Sequence, residues 1–208
     1  MSRYTGPVCR LCRAEGAQLF LKGDRCYTAK CALKKRDAKP GQHGTRRGKT
    51  SEYGLRLREK QKLRRFYSLN ETQFSTVFGN AERLPGQTGH NFLQLLERRL
   101  DNVVYRLGFG VSRAQARQLV RHGHFTVNGR KLDIPSATLK PGDVVAVAEG
   151  SRDMELLKTN AEAAATRAIP AWLSFNAESM SGTIVTIPVR EQIEVPVQEQ
   201  LVVEFYAR

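Results

Sequence analysis

Cysteine is absent after residue 31: all four, Cys9, Cys12, Cys26 and Cys31, lie in the opening stretch. No run of about 18 apolar residues occurs, and no apolar segment of a signal peptide follows Met1, so neither a membrane partner nor export is expected and the chain reads as cytoplasmic. Acidic residues are scarce where basic ones crowd. Residues 1–70 hold 19 Lys and Arg against 5 Asp and Glu, whereas the remainder holds 15 of each, so the net charge of +14 over 208 residues arises in the first third. Nucleotide-binding signatures are missing as well: there is no GxxxxGK, and Gly108-Phe109-Gly110 has neither a strand before it nor a third glycine after it. The four histidines (His43, His90, His122, His124) assemble no catalytic set. No small-molecule substrate and no enzyme are expected.

What is present is charge, segregated along the chain. Residues 98–131 carry eight Arg and Lys against Asp101 alone, while residues 132–208 offset them with 11 acids against 6 bases. Two basic surfaces separated by a neutral-to-acidic remainder suit a protein that grips a polyanion without collapsing its whole surface onto it. With 40% hydrophobic residues the chain has material for a core, so it is not disordered throughout.

The cysteines are spaced C-x2-C-x13-C-x4-C. Two close pairs set apart by a dozen or so residues is the pattern of a structural Zn2+ site, since each short turn brings two thiolates to neighbouring corners of a tetrahedron. An iron–sulfur cluster, two reduced thiol pairs and a disulfide framework stay open at this point. Four thiolates would leave no position for a reactive water, so the role is to knit a core-poor arm that displays cations.

Residues 38–51, rich in Gly and Pro, read as a loop, within which His43 is a candidate to stack on or hydrogen-bond RNA. Ser51 then caps a basic helix carrying Arg56, Arg58, Lys60, Lys62, Arg64 and Arg65 against Glu59, a charge balance that favours phosphate contact. Residues 70–81 predict a structural amphipathic helix. A helical stripe over 91–107, closed by Gly108, comes next. Ser112 opens another helix, stopped at Gly123, on which Arg113, Arg117 and Arg121 share one face. A short strand runs into the Asn128-Gly129 hairpin turn with Arg130 and Lys131 beyond it, and the turn Lys140–Asp143 precedes a strand at 144–148. Residues 182–188 and 200–205 also read as strands by their β-branched, alternating residues.

RLDNVVYRLGFGVSRAQARQLVRHGHFTVNGRKL followed by LKPGDVVAV resembles the RNA-binding module named after ribosomal protein S-four, which several RNA-handling families share. The flanks RYTGPVCRLCR, PGQHGTRRGKTSEYGLRLREKQKLRR and PVQEQLVVEFYAR extend the resemblance, in order, to the bacterial ribosomal family itself over nearly the full length. The resemblance implies an α+β fold: a basic zinc-binding arm (1–44), a helical domain (45–97, joined by 196–208), and an inserted helix-helix-β RNA-binding domain with a small antiparallel sheet (98–195). It implies zinc on Cys9, Cys12, Cys26 and Cys31. It further implies a structural role in the small subunit as an early binder of 16S ribosomal RNA that nucleates assembly of the 5′ domain, beside protein S-five and the region where messenger RNA enters, with influence on translational accuracy. The alternative is a fragment of an RNA-modifying enzyme carrying the same module. The residues expected to meet RNA are Arg3, Arg10, Arg13, Lys22, Lys35, Arg36, His43, Arg46, Arg47 and Lys49 in the arm and loop. Arg56, Lys60, Lys62 and Arg65 are expected to do so on the basic helix, and Arg99, Arg113, Arg117, Arg121, Asn128, Arg130 and Lys131 in the module.

Overall fold

The computed structural model describes residues 4–36, 38–45, 48–165 and 169–207. In chain order the helices are α1 (Cys9–Glu15), α2 (Ala32–Lys35), α3 (Glu52–Phe66), α4 (Glu71–Glu82), α5 (Thr88–Glu97), α6 (Leu100–Arg106) and α7 (Arg113–Arg121). Strands β1 (Phe125–Val127), β2 (Arg130–Lys131) and β3 (Val144–Val147) follow, then α8 (Glu155–Ala165), β4 (Leu173–Asn176), β5 (Ser181–Ile184) and α9 (Glu199–Tyr206). The chain divides into two compact units, Met1–Phe92 with Val195–Arg208, and Leu93–Glu194, the division falling inside α5.

In the first unit the Ser51 hydroxyl accepts from the Gly54 N–H at 3.2 Å and the Asn70 side chain accepts from the Gln73 N–H at 2.9 Å, starting α3 and α4 where the sequence places them. Leu63, Phe66, Phe74, Phe78 and Phe92 are buried, and Phe74 and Phe78 meet the Phe92 ring edge-on at 4.9 and 5.4 Å. Residues 200–205, expected as a strand, instead lie in helix α9, packed on α3. The reason is tertiary. At helical spacing Val202 becomes fully buried, Tyr206 stacks on Phe78 at 4.4 Å, and Phe205 meets Tyr53 at 5.7 Å, contacts that outweigh the strand preference of paired valines.

The second unit is built on an antiparallel five-stranded sheet in the order β2-β1-β3-β5-β4. The Asn128-Gly129 turn has both residues at positive φ (50° and 78°), the geometry that matches strand twist in a two-residue hairpin. Alternation puts Val145 and Val147 of β3 inward. There they join Val103 and Val104 of α6, Leu107 just after it, Leu119 and Val120 of α7, Phe125, Trp172 and Ile184 in one core. Gly182 in β5 is held to a hydrogen atom at its side-chain position because the Leu107 side chain occupies the space a Cβ would need. Helix α8 supplies Leu157 to this core, although no element is expected there from sequence.

The stripe expected as one helix over 91–107 is two helices. Arg99 is extended (φ −66°, ψ 138°) and bridges to Thr138, while the backbone N–H groups of Leu100 and Leu139 bond to the carbonyls of Ala137 and Arg98. A strand-like pairing of residues 98–101 with 135–139 thus replaces a turn of helix and restarts α6 in a new direction.

Candidate nucleic-acid interface

The four cysteines, none in a disulfide, line one cavity of about 10 Å³, room for roughly one water-sized sphere. Two come from α1, one closes the turn Gly23–Cys26, and Cys31 precedes α2. The Lys22 N–H donates to Cys26 Sγ at 3.4 Å and Gln18 Nε2 to Cys31 Sγ at 3.7 Å, while the Gln18 amide also bonds the Cys26 carbonyl. Burial pushes the Cys12 and Cys26 thiols up, and the neighbouring cysteines add to the shift. Among the described residues no group of three or more His, Cys, Asp or Glu is closed up into a metal-holding cluster. The donor set and its convergence on one small cavity nevertheless suit a thiolate-binding metal ion.

Cations surround this knot. Arg10, Lys22, Arg25, Lys30, Lys34, Lys35, Arg36, Lys39 and Lys49 are exposed, as is His43. Arg10, Arg13 and Arg36, with Pro7, Pro40 and Gly41, line an open cleft of about 570 Å³ beside Cys9. Arg13 is steadied there by Nε on the Ala38 carbonyl at 2.9 Å. Of the expected contacts, Arg3, Arg46 and Arg47 lie outside the described residues.

The basic helix α3 does not present its charge as expected. Its cations find carboxylates from other elements that local sequence does not reveal. Lys60 is buried, bonded to Glu71 at 2.6 Å and 4.7 Å from the Phe205 ring centroid. Arg65 pairs with Glu15, whose side chain is only 1% exposed, and Arg58 reaches the same oxygen at 3.5 Å. Arg56 bonds Glu204 at 2.7 Å, and Lys62 pairs with Glu59. Arg65, Lys60 and Arg56 therefore join α1, α4 and α9 to α3 within this unit, while Lys62 is paired inside α3 itself. Burial pushes the Glu15 carboxyl up despite Arg65 and Arg58, and pushes the Arg65 guanidinium down. For Glu71 burial works upward too, but Lys60, Tyr206 and Arg64 together hold it below the usual glutamate value.

The module departs from expectation in the same way. Arg99, Arg113 and Arg117 are buried and bonded inward. Arg99 grips Asp101 with two bonds of 3.1 and 2.8 Å, Arg117 adds a third at 2.9 Å, and Arg113 Nε donates to Asn102 at 2.9 Å while lying 4.4 Å from the Tyr105 ring centroid. Asn102 in turn donates to Glu97 at 2.7 Å, and Arg106 makes two bonds to the same carboxylate. The row of Arg113, Arg117 and Arg121 is displayed only at Arg121, which itself stands 3.4 Å from Asp133. Glu97 and Asp101 were missed as functional partners. The available signal was two acids four apart on an otherwise apolar stripe, since a buried carboxylate requires cations.

At the hairpin Arg130 and Lys131 are exposed, as expected. Asn128 is exposed but its amide is engaged: it donates to Asp143 and accepts from the Val144 N–H, each at 2.9 Å, tying the turn to β3. His122 and His124 have ring centroids 6.0 Å apart, and burial, His122 and Lys131 push the His124 imidazole down. The solvent-facing cations of the second unit thus include Arg121, Arg130, Lys131 and Lys140 at the end of α7 and around the hairpin.

Residues 3–97 match the family described as Ribosomal protein S4/S9 N-terminal domain, and residues 98–145 match the S4 domain. Proteins named small ribosomal subunit protein uS4 align over the full length of both chains: 60% identical from Pelotomaculum thermopropionicum, 58% from Thermus thermophilus and 55% from Thermodesulfovibrio yellowstonii. The chain belongs to the uS4 family. These uS4 relatives are ribosomal proteins and not enzymes, which disfavours the RNA-modifying alternative. No described helix is long and apolar enough to cross a membrane.

Proposed function

We propose that the chain is a structural constituent of the small ribosomal subunit that binds 16S ribosomal RNA early and helps organise its 5′ domain. Full-length identity of 55–60% to small-subunit proteins carries the reading. The exposed cations supply its chemistry: Arg10, Lys22, Lys35, Arg36 and Lys49 in the first unit, Arg121, Arg130 and Lys131 in the second. Such side chains meet phosphates and position the protein, whatever the base sequence. The test is chemical probing of 16S RNA with the purified full-length protein. Protection of the 5′-domain junction is expected; protection no greater than on bulk RNA overturns the reading.

One structural Zn2+ on Cys9, Cys12, Cys26 and Cys31 belongs to this proposal, supported by four thiols on one ion-sized cavity. When bound, the ion supplies four thiolate bonds in place of an apolar core. Around it, Gln18 and the Lys22 N–H orient the sulfurs of the second pair. A protein neighbour, S-five beside the region where messenger RNA enters, completes the proposal, and through that boundary an influence on translational accuracy. Its support is the segment after β5, where the apolar side chains of Val185, Ile187 and Val189 are exposed.

A further inference from the structure

The knuckle around Cys26 carries two aromatic rings. Phe20 and Tyr27 are stacked, with ring centroids 5.0 Å apart and planes inclined by 28°. Tyr27 is 65% exposed, an unusual position for a large ring in an arm that buries so little apolar surface. The pair is set by backbone geometry: Phe20 adopts a left-handed conformation (φ 52°) rare for a bulky residue, and the Tyr27 N–H bonds to the Asp24 carbonyl at 3.0 Å, closing the turn Gly23–Cys26 beneath the ring.

Four exposed cations share this short segment: Lys22, Arg25, Lys30 and Lys34. Two are fixed to the knuckle itself. Lys34 Nζ lies 3.4 Å from the Tyr27 carbonyl, and Arg25 Nε donates to the Lys30 carbonyl at 3.3 Å. A pre-stacked aromatic pair with one ring exposed, on a segment rich in cations, is an arrangement with which proteins hold an unpaired base between backbone contacts, because every base has a π-face and phosphates flank it on both sides.

We propose that Phe20 and Tyr27 form a stacking platform for one unpaired nucleobase of the bound RNA, with Lys22, Arg25, Lys30 and Lys34 meeting the adjoining phosphates. The proposal rests on the RNA-binding reading and deepens it: duplex regions are gripped by charge alone, and the knuckle requires a base out of its helix. An exposed aromatic pair on an anionic knuckle would have suited a protein partner; this charge balance suits RNA.

The test uses the full-length protein and a transcript of the 16S RNA 5′ domain, measuring affinity across salt concentrations for wild type, Tyr27→Ala and Tyr27→Phe. Tyr27→Ala should weaken binding by roughly 5- to 150-fold, the range of one base–aromatic stack, with an unchanged salt slope because no charge is lost. Tyr27→Phe should bind like wild type. Should Tyr27→Ala disturb the arm's fold, a transcript carrying 5-iodouridine decides with the wild-type protein: a photo-crosslink within residues 20–27 supports the platform, and crosslinks elsewhere alone overturn it. Equal affinity of Tyr27→Ala and wild type, or a flattened salt slope in the variant, overturns the platform while leaving RNA binding intact. Failure of the wild type to bind the transcript overturns both.

Discussion

Arg117 and Arg99 donate to the same Oδ2 of Asp101, at 2.9 and 2.8 Å, so one buried carboxylate holds two buried guanidinium groups, one from the residue that starts α6 and one from the middle of α7. The two helices are thereby locked in register by charge as well as by the apolar contacts of Val103, Val104, Leu119 and Val120.

Asp101→Asn removes the charge that both buried arginines share. The expected cost is about 3–5 kcal/mol, the usual range for breaking a buried ion pair from one side. It should be read as a lower denaturant midpoint with little change in the slope m. A loss below about 1 kcal/mol would show that solvent reaches the network and that the burial described is not maintained.

The salt dependence of RNA binding separates displayed from buried arginines. Each lost phosphate contact reduces the magnitude of the log–log slope by about 0.7–0.9, so Arg130→Gln with Lys131→Gln should flatten it by about 1.5. Arg113→Gln and Arg117→Gln should destabilise the protein and leave the slope of its folded fraction alone. If instead the buried pair flattens the slope and the hairpin pair does not, the assignment is reversed.

Acid should weaken the first unit through Glu71. Its folded-state value is depressed, so between that value and the ordinary glutamate value the unfolded chain binds more protons and stability rises with pH. The contribution is present above the ordinary value and is lost as pH falls through the depressed one. The stability difference between wild type and Glu71→Gln should therefore shrink on going from about pH 6 to about pH 3. A difference constant over that range would mean that Lys60 and Tyr206 do not favour the charged form.

Metal content is directly measurable. Native mass spectrometry should show one zinc atom in the wild type and none in Cys12→Ser with Cys26→Ser. Chelation should open residues 9–31 to protease and leave the second unit protected, since that unit has its own core. A metal-free protein with a protected arm would remove zinc from the proposal, and a bound iron–sulfur chromophore would replace it.

Local chemistry was legible where local chemistry decides. Ser51 caps its helix, Asn128-Gly129 turns the hairpin, and four cysteines line one cavity. Partners distant in sequence were not legible. Glu204 lies 148 residues from Arg56, and Glu15 lies 50 from Arg65, so helix α3 looked uncompensated when counted along the chain and is ion-paired when folded. The break at Arg99 and the helical state of residues 199–206 were hidden for the same reason. Each is dictated by what packs against it, the first by residues 135–139 and the second by α3 and the rings of Phe74 and Phe78.

Helix α9 lies against α3, more than a hundred residues earlier in the chain, and it supplies the carboxylate of Glu204 to Arg56 and the ring of Tyr206 to Phe78. Synthesis therefore reverses the usual order of maturation. The segment Leu93–Glu194 is contiguous and can close as soon as it emerges, whereas α3 waits for the polypeptide to reach α9, an interval of about 7–27 s at ordinary elongation rates of roughly 5–20 residues per second. Throughout that interval Arg56 of α3 is without Glu204. The arrival of α9 is thus the step that brings Glu204 to Arg56, whereas the carboxylates of Glu15, Glu59 and Glu71 are made early enough to meet the other α3 cations first.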